Sequence, residues 1–182
     1  MMTEPTDVDT FWHHHADRRF MVSFYPKLST YATVLDIGAR GFNQRCKALI
    51  NSSSSRYYQM EPFPSADFPM INDGTLECTV QDSLATYPAF RGFFDCVLDF
   101  GVFGWGQVRF TRKQLLAYLE AVRGLLKPGG LYVLKLDDKV TRARLTSVQD
   151  EAVTPFFRRE GALGYPAELR VDVYTFIFMR LT

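Results

Sequence analysis

Cysteine is scarce in this chain: Cys46, Cys78 and Cys96 are the only three, odd in number and far apart. None sits in a CxxC pair, and the set fits a reducing compartment better than a disulfide framework. Histidine is as rare, with all three residues adjacent at His13, His14 and His15. An excess of one charge is missing too. The formal net charge of +1 gives no strong field toward nucleic acid or membrane, although a local patch is compatible with it. No apolar run is long enough to span a bilayer. The opening Met1-Met2-Thr3-Glu4-Pro5-Thr6-Asp7 lacks the basic flank and apolar centre of a signal peptide. No internal repeat stands out, and low complexity is confined to Ser52-Ser53-Ser54-Ser55. These absences predict a soluble, cytoplasmic protein with no membrane partner.

What is present suits one α/β core: 182 residues, 47% of them hydrophobic. The organising stretch is Thr33-Val34-Leu35-Asp36-Ile37-Gly38-Ala39-Arg40-Gly41-Phe42. Val34, Leu35 and Ile37 are residues of a strand buried on both faces. Gly38 and Gly41 then permit a tight turn and close approach to whatever sits over the strand's end. The residues before about Thr10 read as a mobile tail. Phe11 to Tyr25 reads as a helix that Pro26 ends, with Phe11, Trp12, His15, Arg19 and Val22 along one side. The expected organisation is an N-terminal tail and covering helix over 1–25 and a single domain over 26–182.

After the glycine turn, Asn43 to Leu49 reads as a helix and the serine run as a loop. Arg56-Tyr57-Tyr58-Gln59-Met60-Glu61 is a second strand ending in an acid. Glu61 falls about 20 residues beyond the glycine turn, where a mononucleotide-binding unit places the carboxylate that accepts from ribose hydroxyls. Phe63 to Gly74, with prolines at 64 and 69, is irregular. Leu76 to Val80 is a third strand that stops at Asp82-Ser83. Three strands ending in Asp36, Glu61 and Asp82 line one carboxyl edge, where such sheets bind ligands. Phe94 to Phe100 is a fourth strand, running into the glycine-spaced aromatic loop Gly101 to Gly106. Thr111 caps a helix from Arg112 to Leu126, with Leu115, Leu116, Leu119, Val122 and Leu126 on one stripe. Lys127-Pro128-Gly129-Gly130 stops it, Leu131 to Leu136 is a fifth strand, and a polar helix takes much of Val140 to Arg159. A hairpin closes the chain: Gly161 to Tyr165 leads in, Pro166-Ala167-Glu168 turns, and Val171 to Arg180 returns.

This order resembles the class I S-adenosylmethionine-dependent methyltransferases. The shared features are the Asp-x-Gly-x-x-Gly turn, acids after strands two and three, the Phe-Asp-x-Val strand and Leu-Lys-Pro-Gly-Gly before strand five. The resemblance covers roughly Val34 to Leu181. It implies a three-layer Rossmann-like sandwich on a seven-stranded sheet of order 3-2-1-4-5-7-6, with only strand seven antiparallel. It also implies S-adenosyl-L-methionine as cofactor. Gly38, Ala39 and Gly41 would line the methionine moiety, with Asp36 ordering the turn or reaching the amino group through water. Glu61 would hold the ribose, Asp82 the adenine amine with Ser83 and Leu84 flanking the ring, and Asp99 would lie beside the sulfonium. Arg40 and Phe42 stand where the family often carries its second and third glycines.

The expected activity is methyl transfer to an unidentified acceptor, with a small molecule first and RNA or protein as alternatives. The carrier supplies the electrophile, so the enzyme must align the acceptor and, where needed, take its proton. Candidates for that second task are His13, His14, His15, Asp99 and Lys135. Adjacent histidines point about 100° apart on a helix, which makes a shared metal ion a poor reading. One packed histidine on a partly exposed helix, or one facing substrate from a covering helix, both fit. Asp99, Lys135 and Asp172 resemble in position the tetrad of RNA ribose 2′-O-methyltransferases, which would need Lys27 as its first lysine. Lys135 as an ordinary edge residue is the plainer reading. Phe103 and Trp105 either pack the following helix or shape an acceptor pocket. Arg142, Arg144, Arg158 and Arg159 form a solvated face or, less simply, a docking strip for an anionic partner. A non-catalytic nucleotide- or partner-binding module on the same fold is the alternative of a different class.

Overall fold

The structure is a computed structural model, described here for residues 30–38, 56–63, 74–99, 102, 110–136, 139–153, 155–164 and 174–181. Seven strands run β1 (Thr33–Ile37), β2 (Arg56–Met60), β3 (Gly74–Leu76), β4 (Phe94–Asp99), β5 (Leu126–Leu136), β6 (Phe157–Gly164) and β7 (Tyr174–Arg180). The described helices are α1 (Ser83–Thr86), α2 (Arg112–Leu125) and α3 (Lys139–Ser147), with a 3-10 turn at Pro88–Phe90 and a π turn at Gln149–Val153. The sheet order is β3-β2-β1-β4-β5-β7-β6, the order that the resemblance implied. β7 alone is antiparallel, to both β5 and β6. Strand order reverses between β1 and β4, so the switch point of the sheet lies at the ends of those two strands, with the end of β2 beside it.

β1 is buried at all five positions, as a central parallel strand covered on both faces must be. α2 packs on one face of the sheet. Its Leu115, Tyr118, Leu119, Val122 and Leu125 join Leu35, Ile37, Val97, Tyr132 and Leu134 in one core. Each fully buried Leu or Val contributes about 1.5–3 kcal/mol. The helix begins in a capping box: the Thr111 hydroxyl oxygen accepts from the Gln114 amide, and Gln114 Oε1 accepts from the Thr111 amide at 2.8 Å. The expected stripe holds at Leu115, Leu119 and Val122, but Tyr118 and Leu125 complete it, and Leu116 is only partly buried.

Three boundaries differ from expectation. β3 covers Gly74–Leu76 and not Leu76 to Val80, because the chain turns after Leu76 on its own side chains. The Thr79 hydroxyl donates to Asp82 Oδ2 at 2.6 Å, and the Glu77 amide reaches the Tyr87 hydroxyl oxygen. β5 begins at Leu126, so Lys127-Pro128-Gly129-Gly130 is a bulge inside a strand and not a gap before one. The register jumps from Phe94↔Leu126 to Cys96↔Leu131. Gly129 takes a φ of +77° there, and a Cβ on Gly130 would come within 3.1 Å of the Phe94 carbonyl oxygen. The expected polar helix is divided into Lys139–Ser147 and the π turn Gln149–Val153, and its far end, from Phe157, belongs to β6, where Phe157 pairs with Arg180. The expected N-terminal helix, the helix over 43–49, the serine loop, the irregular 64–73 segment and the 166–168 turn lie outside the described residues. Among the described residues, no helix is long and apolar enough to cross a membrane.

Candidate cofactor and active site

Parallel pairing sets Glu61 and Asp99 at adjacent strand ends, whereas Asp82 lies beyond the end of β3. Ile37 is in register with Met60 on one side and with Asp99 on the other. Gly38 and Glu61, the next residues along, therefore stand beside Asp99 at adjacent strand ends. Gly38 adopts a left-handed φ of +69°, and its amide donates to the Met60 carbonyl at 2.8 Å, which carries the β1–β2 ladder into the turn. A Cβ at this position would lie 2.4 Å from Val102 Cγ2, so a methyl of Val102 occupies the space that any larger residue needs.

Asp36 and Asp99 fall on opposite faces of the sheet, since Asp99 pairs with Ile37, one residue beyond Asp36. Each is met by tyrosine. The Tyr57 hydroxyl on β2 donates to Asp36 Oδ2 at 2.5 Å. On the α2 face, Asp99 Oδ2 accepts from the Tyr118 hydroxyl at 2.6 Å and the Tyr132 hydroxyl at 2.9 Å. Its Oδ1 accepts from the Val102 amide at 3.3 Å. Asp36 is 1% exposed and Asp99 0%, so these donors replace water around a desolvated carboxylate. Burial first, and the Asp99 charge second, push both Tyr118 and Tyr132 well above the ordinary tyrosine range, so each remains a proton donor.

Glu61 is also buried, at 4% exposure. Its amide donates to the Leu76 carbonyl, and its Oε1 accepts from the Phe63 amide at 3.3 Å. Asp82 is exposed at the start of α1 and held by Thr79. Ser83 is fully buried, with its hydroxyl donated to the Val80 carbonyl at 2.6 Å. Lys135 lies on β5 opposite Thr175. Burial pushes the Cys78 thiol up to about 11, helped by Asp82, and raises Cys96 further, so neither supplies a thiolate near neutral pH. Among the described residues, no group of three or more His, Cys, Asp or Glu is arranged to hold a metal ion. His13, His14, His15, Ala39, Gly41, Phe103, Trp105 and Asp172 lie outside the described residues, as do Lys27, Arg40 and Phe42.

Sequence reading missed Tyr57, Tyr118 and Tyr132. A signal existed for Tyr118: it stands three residues after Leu115 and four before Val122, on the buried stripe of α2. A phenol carried into a core must find an acceptor, and the nearest strand end offers one.

No protein-family model matches the sequence, and no curated protein matches it either. Solved structures do resemble the fold. N-methyltransferase NodS from Bradyrhizobium japonicum WM9, in complex with S-adenosyl-L-homocysteine, gives a TM-score of 0.64 at 16% identity, over 96% of this chain and 93% of that one. The Burkholderia thailandensis 1,6-didemethyltoxoflavin-N1-methyltransferase, with bound 1,6-didemethyltoxoflavin and S-adenosylhomocysteine, gives 0.58 at 16% identity over 100% and 92%. An rRNA methylase from Streptococcus thermophilus gives 0.59 at 13% identity over 87% and 94%. With the sheet order and the glycine turn, these likenesses establish that the chain has the class I S-adenosylmethionine-dependent methyltransferase fold.

Proposed function

We propose that this protein is a methyltransferase that takes its methyl group from S-adenosyl-L-methionine. The observation that carries the reading is the left-handed Gly38 at the switch point of a 3-2-1-4-5-7-6 sheet, flanked by the buried Glu61 and Asp99. A turn without a Cβ lets a ligand approach the backbone closely, and a carboxylate at the end of β2 suits a ribose diol. The residues present fit the cofactor. Gly38, with Ala39 and Gly41, would face the methionine portion, Glu61 the ribose, and Asp82 the adenine amine. Ser83 supports Asp82 by fastening the turn to Val80. When bound, the cofactor supplies an electrophilic methyl group on a sulfonium. The protein's share is alignment of the acceptor, exclusion of water and, where the acceptor carries a proton, its removal.

A small-molecule acceptor is the preferred reading. The ribose 2′-O alternative asks Asp99 to work beside Lys135, and Asp99 is buried and already accepts from two phenols and an amide. Phe103 and Trp105 are proposed to border the acceptor, and His13 to His15, with Lys135 ranked after them, are the remaining candidates for its proton.

Titration calorimetry with S-adenosylmethionine, S-adenosylhomocysteine and NAD tests the reading. Micromolar binding of the first two is expected, and binding of NAD alone overturns it. Glu61→Ala should weaken the methyl donor about tenfold, or about 1.4 kcal/mol. Label transferred from the methyl donor to fractionated lysate identifies the acceptor class, and RNase-sensitive label would move the reading to RNA. Donor binding with no transfer to any fraction points to the non-catalytic module.

A further inference from the structure

Asp99, Tyr118 and Tyr132 form a node drawn from three separate elements. Tyr118 comes from α2, Tyr132 from β5 and Asp99 from the end of β4. The two hydroxyls converge on a single oxygen, Oδ2, which fixes the rotation of the carboxylate about its Cβ–Cγ bond. That rotation aims Oδ1 at the Val102 amide, its acceptor distance being 3.3 Å. Val102 in turn stands over Gly38, filling the volume a Cβ would need. A chain of contacts thus runs from the core phenols through Asp99 and Val102 to the turn at the end of β1.

We infer that Tyr118 and Tyr132 are positioning residues that act through Asp99 to hold Val102 against Gly38 and so set the methyl-donor turn. Asp99 then serves as a fixed acceptor of hydrogen bonds and not as the proton-accepting group of the reaction. The phenols suit this work because burial first, and the Asp99 charge second, keep them protonated, so both hydroxyls remain hydrogen-bond donors. A tyrosine also carries its hydroxyl on a rigid ring with two torsions, which costs less ordering entropy than a lysine in the same place. The inference rests on the methyl-donor reading of the site.

The test is the double variant Tyr118→Phe with Tyr132→Phe, studied at a temperature where it is fully folded. Two readouts are combined: amide hydrogen exchange residue by residue, and calorimetric affinity for S-adenosylhomocysteine. The expected result is exchange about tenfold faster at Val102 and Gly38, with Leu35 and Val97 keeping their protection. Affinity should fall about tenfold alongside it. A purely structural contribution would instead speed all core amides together and leave the affinity of the folded protein unchanged, and that outcome overturns the inference. Faster exchange at the turn with unchanged affinity overturns it as well. If the unsubstituted protein binds neither S-adenosylmethionine nor S-adenosylhomocysteine, the methyl-donor reading fails, and the exchange result alone decides whether the clamp sets the turn. Should the double variant fail to fold, the single variants take its place. Tyr118→Phe should then exceed Tyr132→Phe, following the shorter hydrogen bond.

Discussion

At the amino edge of the sheet, Asp95 accepts from the Lys127 ammonium at 2.7 Å and from the Thr33 amide at 2.9 Å. At the carboxyl edge, Asp36 and Asp99 accept from phenols. The two edges carry the same functional group in different settings. Asp95 and Lys127 are 24% and 41% exposed, whereas Asp36 and Asp99 are sealed. An ammonium cancels the charge of its partner, and water screens what remains. A phenol satisfies the lone pairs of a carboxylate and leaves its charge in place, and in a desolvated setting that charge acts over a longer range. The amino edge is therefore built to staple β1 to β4 and β5. The carboxyl edge is built to seal two hydrogen-bonded carboxyl groups beside the Gly38 turn, where the proposed methyl donor would bring a cationic sulfonium.

The largest expected effect comes from breaking the carboxyl-edge node. Asp99→Ala removes the acceptor oxygen that two buried phenols share and opens a cavity, at a cost of about 3 kcal/mol or more by urea unfolding. A loss under about 1 kcal/mol would mean that the node is wet and that the contrast between the edges is not one of burial. Gly38→Ala follows. It forces a side chain into a φ of +69° and against Val102 Cγ2, so it should cost about 2–3 kcal/mol and abolish donor binding in calorimetry. Unchanged donor binding would remove the turn from the proposed site. Tyr57→Phe takes one donor from Asp36 and should cost about 1.5 kcal/mol in the same unfolding assay. That loss should persist in 1 M salt, because the pair is sealed from counterions.

Much of the frame was legible because central parallel strands are apolar runs that end at acids, and β1, β2 and β4 follow that pattern within one residue. The helix start at Thr111 was legible from its hydroxyl, although Gln114, the other half of the box, went unread. The third strand was placed too late, sharing only Leu76 with the observed Gly74–Leu76, because Cys78-Thr79-Val80 alternates like a strand while Thr79 bonds to Asp82 instead. Pro128 and the two glycines signalled a break, which they provide as a bulge and not as an end. At the site, the acids were read but their partners were not, although the stripe of α2 pointed to Tyr118. Tyr57 lies 21 residues from Asp36, and Tyr118 and Tyr132 lie 19 and 33 from Asp99, so strand register brings the first and last to their acids and the packing of α2 brings Tyr118. Local pattern carries strand ends, and pairing across elements carries their chemistry.

Lys127→Met is the smallest expected effect and the closest test of the contrast. The substitution keeps the apolar stem and removes the ammonium, so the loss at neutral pH should stay below about 1 kcal/mol. Its pH dependence has a definite sign. Burial alone would raise the Asp95 carboxyl, but its bonds with Lys127 and Thr33 outweigh burial and hold it below the ordinary 3.8. A carboxylate lowered on folding adds stability that is fully present above the unfolded value. As the pH falls through the folded value, that stability is lost. The gap between the parent protein and Lys127→Met should therefore be constant from neutral pH to just above 4, then close below it, and it should narrow in 1 M salt at pH 7. The Tyr57→Phe gap should ignore salt. If both gaps respond to salt alike, the carboxyl edge is as solvated as the amino edge, and the case for retained charge beside Gly38 falls with it.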